Sequence, residues 1–253
     1  MDEVIALNRW IHILAGFIGL AAWWVPVATT KGGPVHRRAG KAFAVTAYLV
    51  GTTAIASAVL RIGGSAFSGT LGDNPVALAF LVFLAYIGVI VIESTYYGVR
   101  VLRTRRNHEM LGDRFLGLLL WSMAVGSLVV AAFAIGAWTP VSVILLILSP
   151  IGVKAAWDQR RYIRSAPTHS RAWFFEHMEA MLGAGVAFHT AFLVFGSQRW
   201  VDLSLLGPFN WVPWVLPALV GTVAGGYWKR RYQRLVGTGS SAPARPRATA
   251  AGA

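Results

Sequence analysis

Cysteine is absent from this 253-residue chain. Its absence excludes disulfide bonds, thiolate metal sites, iron–sulfur clusters and a cysteine nucleophile. Acidic residues are also scarce, because 10 Asp and Glu stand against 23 Lys and Arg, which gives a formal net charge of +13. Histidine and carboxylate side chains are left as the candidates for holding a metal or a cofactor.

Charged residues of both signs make up only 13% of the chain, whereas 56% is hydrophobic and the mean hydropathy is +0.57. This composition is typical of a polytopic membrane protein and not of a soluble domain. We therefore expect an all-α transmembrane bundle of seven spans over residues 1–236 and a disordered, basic, Ala- and Pro-rich cytoplasmic tail over residues 237–253. The seven apolar runs are 5–29, 42–61, 76–99, 115–137, 139–157, 173–197 and 212–228.

The basic residues lie in alternate gaps between these runs and in the tail. Of the 23 Lys and Arg, only Arg9, Arg61 and Arg199 fall elsewhere. The positive-inside rule then places the N-terminus outside and the C-terminus inside. We expect a multi-pass protein of the inner (cytoplasmic) cell membrane, with the lipid bilayer as its main partner and a homo-oligomer among its expected assemblies. Topology accounts for the positive charge, so we expect no nucleic-acid partner.

The sixth apolar run carries an unusual number of ionisable groups, namely Glu176, His177, Glu179 and His189. A central charged side chain costs about 2.5–3.5 kcal/mol on membrane-insertion scales, so such groups tend to have a function. On a helix, Glu176 and Glu179 share one stripe, whereas His177 and His189 lie off it and about 18 Å apart along the axis. This helix is therefore expected to present an inner polar site and an outer one.

Other runs supply candidates for both sites. His12 lies in the outer part of the first run, and Gly16 one turn later either clears space for a flat ligand or allows close helix packing. His36, at the inner interface, is predicted as an inner-site ligand or anion contact, with a membrane-interface anchor as the alternative. Glu93, in the inner half of the third run, is predicted as an acid, a proton relay or a metal carboxylate.

Three motifs resemble a bacterial family of multi-helix membrane proteins of unknown function. They are His12-x-x-x-Gly16, His36-Arg37-x-x-Gly40-Lys41, and a later helix in which His177 is followed by Thr190-Ala191-Phe192. The likeness extends over most of the first six runs. It implies that His12, His36 and His177 occupy special positions, and it implies no reaction.

Three function classes fit these residues, beside a purely structural role in which they pair and hold the bundle. The first is an electron carrier or oxidoreductase with haem b or a transition metal, and with a quinone or small apolar ligand as partner. Its candidate ligand pairs are His12 with His189 and His36 with His177.

The second class is a metal-dependent intramembrane enzyme, and the third is a proton-coupled transporter whose carboxylates titrate in a wet cavity. In the enzyme, zinc or iron is held by inner-site residues and a carboxylate acts as base. Those inner-site residues are Glu93, Glu176, Glu179, His36 and His177.

Overall fold

The computed structural model describes residues 2–139, 142–165, 167 and 169–238. All regular secondary structure in these ranges is helical, which confirms the all-α prediction. The tail beyond residue 238 lies outside the described residues. The main helices are, in chain order, α1 (Asp2–Ala28), α2 (Pro34–Phe67), α3 (Pro75–Thr104), α4 (Arg114–Gly136), α5 (Ser142–Leu148), α6 (Pro150–Arg164), α7 (Ala172–Ala191) and α8 (Val212–Thr238).

Five helices in the described part of the chain are long and apolar enough to cross a membrane. They are α1, α2, α3, α4, and α7 together with its π-helical continuation Phe192–Gly196. These helices match the first four predicted runs and the sixth. They support the prediction of a multi-pass membrane protein.

The fifth predicted run is divided at Ser149–Pro150, where a kink is expected from the sequence. Pro150 has no N–H to donate to α5, and its ring clashes with the preceding turn, so α5 ends and α6 begins there. The Tyr86 hydroxyl bridges the break, since it donates to Ser149 O (2.8 Å) and accepts from Gly152 N (2.9 Å). Helix α6 then continues to Arg164, so the first residues of the basic gap after the fifth run are helical.

Helices α3 and α7 lie at the centre of the bundle. A first group is a ring of four helices, because α1 packs on α2, α2 on α3, α3 on α7, and α7 on α1. A second group is formed by α3, α4, α6 and α7, whose apolar core includes Tyr97, Leu116, Met123, Ala156 and Ala180. Helix α8 packs against α7. Side chains on α3 and α7 can therefore reach either of two interiors.

The loop between α3 and α4 is held by Asp113, which caps α4 through Leu116 N (2.6 Å). Its carboxylate also accepts from Tyr96 Oη and pairs with Arg100 Nη1, both at 2.8 Å. Burial disfavours the charged form of Asp113, but these hydrogen bonds and the arginine outweigh burial and lower the pKa of the carboxyl. Arg100 is engaged here and does not pair with Glu93, which lies two turns earlier on α3.

Glycines allow α7 to approach its neighbours closely. Gly185 faces the Trp23 indole, whose Nε1 donates to Met181 O (3.0 Å), and Gly221 of α8 faces Val186. A Cβ at either glycine would overlap the facing side chain. The last apolar run therefore packs closely against α7 at Gly221.

We expect Gly185→Ala to lower the free energy of unfolding by about 1–3 kcal/mol, because the added methyl meets a ring that a hydrogen bond holds in place. Gly183→Ala on the same helix is the matched control, since a Cβ there meets no atom within 4 Å. The measurement is the thermal unfolding midpoint of each purified variant in detergent micelles. Equal midpoints for the two variants would show that α1 and α7 do not pack as described.

Candidate functional site

Two of the predicted histidines lie in the first group. His36 lies in the first turn of α2, and His177 lies in the second turn of α7. Both side chains are partly buried. The structure therefore places His36 and His177, one of the two ligand pairs proposed from the sequence, on two helices of the same group.

Both rings are oriented by backbone carbonyls. His36 Nδ1 lies 3.2 Å from Pro26 O, and His177 Nδ1 lies 2.9 Å from Gly98 O. A carbonyl oxygen only accepts, so each Nδ1 carries the hydrogen and donates it. Neither Nε2 has a hydrogen bond within the described residues, which leaves its lone pair available. This arrangement, with Nδ1–H on a carbonyl and Nε2 free, is the one that metal-binding histidines usually adopt.

His36 also has a structural role at the end of α1. The last carbonyls of a helix have no partner within the helix. Lys31 Nζ donates to Pro26 O (2.7 Å) and Val27 O (2.8 Å), and His36 donates to the first of these. This contact fixes the turn between α1 and α2 and sets the direction of the imidazole.

His12 lies in the N-terminal half of α1 and contacts α2. Its Nδ1 is 2.9 Å from Thr53 Oγ1, whose own hydrogen is directed at Leu49 O (2.6 Å), so His12 donates to Thr53. A Cβ at Gly16 would meet no atom within 4 Å, so there is open space one turn from this imidazole. His12 therefore also has an available Nε2, but no second imidazole lies beside it in the contacts of the described residues.

His189 differs from the other three histidines because both of its ring nitrogens are used. Nδ1 donates to Gly185 O (2.7 Å), and Nε2 accepts from Trp24 Nε1 (3.1 Å). Trp24 lies twelve residues after His12, which is about 18 Å along α1. The structure therefore does not bring His12 and His189 together as a ligand pair.

The carboxylates of α7 have partners on different helices. Glu176 Oε2 accepts from the hydroxyl of the buried Tyr97 at 2.5 Å. Glu179 pairs with Lys229 of α8 at 2.5 Å, and both side chains are about half exposed (49% and 45%). Across the described residues, no group of three or more His, Asp or Glu is close enough to hold a metal ion. The five-residue zinc or iron cluster proposed from the sequence is therefore not assembled.

Glu93 is completely buried, at 0% exposure, between α3 and α6. Its Oε2 accepts from Gln159 Nε2 (3.1 Å) and from Ser94 Oγ (3.4 Å). Its Oε1 and Gln159 Oε1 have no hydrogen-bond partner among the described residues. None of the ion pairs among the described residues includes Glu93.

Gln159 is the site residue that sequence reasoning missed, because it follows the last residue of the predicted fifth span. A signal was available in its spacing. Gly152, Ala156 and Gln159 form the buried stripe of α6, while Lys154 and Asp158 lie on the exposed side. An uncharged polar residue on the apolar stripe of such a helix indicates a buried polar partner.

Tyr97→Phe removes the hydrogen bond to Glu176 and leaves a partly buried carboxylate without its donor. We expect the free energy of unfolding to fall by about 1–3 kcal/mol. Tyr227→Phe is the control, because Tyr227 is 60% exposed. Thermal unfolding in micelles compares the two. If Tyr97→Phe unfolds at the temperature of the wild type, the hydroxyl does not contribute to the α3–α7 contact.

No protein family, curated protein or solved structure matches this chain. The resemblance of its histidine motifs to a family of membrane proteins stays a prediction, and the function is inferred from the arrangement of the residues.

Proposed function

We propose that this chain is a multi-pass protein of the cytoplasmic membrane with seven crossings, its N-terminus outside and its C-terminus inside. The five long apolar helices supply five crossings, α5 with α6 supplies one, and α8 supplies the last. Contacts between the basic segments support this topology. His108 Nε2 lies 2.9 Å from Tyr162 O, Arg105 lies over the Trp173 ring, and Phe174 contacts Tyr232. The α3–α4 loop, the α6–α7 connection and the end of α8 therefore lie together, as the positive-inside rule requires.

The orientation can be tested by cysteine labelling, because the chain contains no cysteine of its own. Ser68→Cys and Ser165→Cys place single thiols at two exposed positions. We expect a membrane-impermeant maleimide to label Ser68→Cys in intact cells and Ser165→Cys only after the cells are permeabilised. The reverse pattern would contradict the orientation, and labelling of both in intact cells would contradict an odd number of crossings between them.

We propose further that the protein binds haem b or a transition metal between His36 and His177 and transfers electrons. The observation that carries this proposal is that both imidazoles have the same hydrogen-bonding pattern. Each donates Nδ1–H to a backbone carbonyl and keeps Nε2 free of hydrogen bonds within the described residues. Bis-histidine haem requires two neutral imidazoles from different helices, and a metal site requires the same free nitrogens.

The surroundings of the pair also support this assignment. His36 and His177 belong to α2 and α7, which lie across the four-helix ring from each other and meet in the Phe43–Phe188 ring contact. Cofactor sites in helical bundles are commonly built from side chains on facing helices. The apolar core of the first group would exclude water from a bound cofactor. A quinone or another small apolar molecule is the electron partner we propose.

The absorption spectrum of the purified protein, produced in cells supplied with haem precursors, tests the proposal. We expect a Soret band that is lost in His36→Ala and in His177→Ala. His189→Ala is the matched control and should keep the band, because both nitrogens of His189 are engaged by Gly185 and Trp24.

Metal analysis of the same samples separates the two ligands. Stoichiometric iron or zinc without a Soret band, lost in the same two variants, would support a metal centre in place of haem. A wild-type protein with neither haem nor metal, or a band that depends on His189 and not on His36, would overturn the proposal.

A further inference from the structure

The pair formed by Glu93 and Gln159 belongs to the second group of helices and lies apart from the histidine site. It is the most deeply buried ionisable group of the described chain, and it has no cation beside it. Such a group inside an apolar bundle is costly unless it is neutral or fully hydrogen-bonded. An inference about it therefore does not rest on haem or metal binding.

The hydrogen bonds of this pair leave two acceptors without a donor. Gln159 Nε2 donates to Glu93 Oε2 at 3.1 Å, while Glu93 Oε1 and Gln159 Oε1 have no partner. Both orphaned atoms are oxygens, and both belong to the two side chains that are already joined. A hydrogen on Glu93 Oε1 that is directed at Gln159 Oε1 would satisfy both of them.

Reversing the amide of Gln159 does not remove this requirement. Oxygen and nitrogen of an amide are interchangeable assignments. In the reversed orientation the amide oxygen faces Glu93 Oε2, and two acceptors again meet without a hydrogen. In either orientation, the pair is fully bonded only if the carboxyl group carries a proton.

We propose that Glu93 and Gln159 form a proton-binding site that joins α3 to α6. Glu93 is a carboxylic acid whose O–H donates to the amide oxygen, while the amide N–H donates to the acid carbonyl. Release transfers this proton to water that enters the bundle, giving a carboxylate and hydronium. The carboxylate then faces an amide oxygen with no donor between them, so the contact between α3 and α6 weakens.

In the described residues around Glu93, the surrounding side chains are apolar or already paired, so this proton is what neutralises the carboxylate. Tyr97, one turn along α3, is buried and gives its hydroxyl hydrogen to Glu176 of α7. The α4 residues packed on this region, Leu116, Leu120 and Met123, are apolar, and Ala156 is the next buried residue of α6. Asp158 of α6 is exposed and paired with Lys154.

The helix break at Pro150 determines how loss of the Glu93–Gln159 contact would affect α6. Because α6 begins there as a separate helix, it can move relative to α3 without bending α5. The Tyr86 hydroxyl, bonded to Ser149 O and Gly152 N, fixes the first turn of α6, and Gln159, two turns later, joins α6 to α3. Helix α6 also packs along α4, and Tyr162 O near its end lies 2.9 Å from His108 Nε2. Proton release at Glu93 therefore removes the Gln159 link to α3 while both ends of α6 stay held. Such a proton-operated helix contact is the element that a proton-coupled transporter requires.

Infrared spectroscopy of the full-length protein in lipid bilayers tests the site at neutral pH. We expect the difference spectrum between wild type and Glu93→Gln to contain the carbonyl band of a protonated carboxylic acid, shifted in D₂O. Glu93→Gln should fold, because a glutamine at this position can form the same two-bond pair with Gln159. Glu179→Gln is the matched control and should keep the band, since Glu179 is half exposed and paired with Lys229.

Gln159→Leu provides an independent readout if Glu93→Gln does not fold. It should keep the acid band but move it to higher frequency, because the acid loses its amide partner. A carboxylate band in place of an acid band in the Glu93 difference spectrum, or an acid band unaffected by Gln159→Leu, would overturn the proposal. The same measurements in His177→Ala protein show that the outcome is independent of any haem or metal.

Discussion

Two adjacent hydrogen bonds between α3 and α7 organise the inner half of the bundle. Tyr97 donates to Glu176, and the next residue on α7, His177, donates to the carbonyl of the next residue on α3, Gly98. Gly98 has no side chain, so α7 can approach until Met181 and Ala180 fill the space where a Cβ would lie. In a membrane, polar side chains must find partners inside the protein. These two bonds meet that requirement for two neighbouring ionisable residues at once.

The direction in which each polar residue of α7 points then decides which group of helices it serves. Glu176 turns toward Tyr97 and the second group, whereas His177, at the next position, donates to the backbone carbonyl of Gly98. His189 is three turns further on and lies against Trp23 and Trp24 at ring-centroid distances of 5.1 and 5.5 Å. Helix α7 thus carries a candidate ligand (His177), a carboxylate that is hydrogen-bonded to a tyrosine (Glu176), and a histidine that packs against α1 (His189).

The sequence predicted the helices well because their signals are local. Apolar runs, the Ser149–Pro150 break and the Lys154–Asp158 pair each depend on residues close together in the chain. The depth of each histidine along its own helix was also predictable from the rise per residue. The contact between α1 and α7 was not, because it depends on Gly19 facing Phe188 and Gly185 facing Trp23, and this register is set by side-chain shape. The contact of His189 with Trp24, far from His12, follows from that register.

The partner of Glu93 is a second example of a contact between helices that local sequence signals do not predict. Another helix supplies this partner, because Gln159 of α6 donates to the Glu93 carboxyl. The residue itself was missed because the helix was predicted to end before it. Hydropathy marks where a helix leaves the hydrocarbon, and α6 continues through this boundary as an amphipathic helix with a buried stripe.

The neighbouring positions of Glu176 and His177 have a mechanical consequence. A rotation of α7 about its own axis would stretch both of its bonds to α3 together, because they leave the helix from consecutive residues. An event that strengthens one bond therefore resists rotation and protects the other. Thermodynamic linkage makes this dependence reciprocal. A ligand bound at His177 would change the free energy of the Tyr97–Glu176 hydrogen bond, and a change in that hydrogen bond would change the free energy of ligand binding by the same amount.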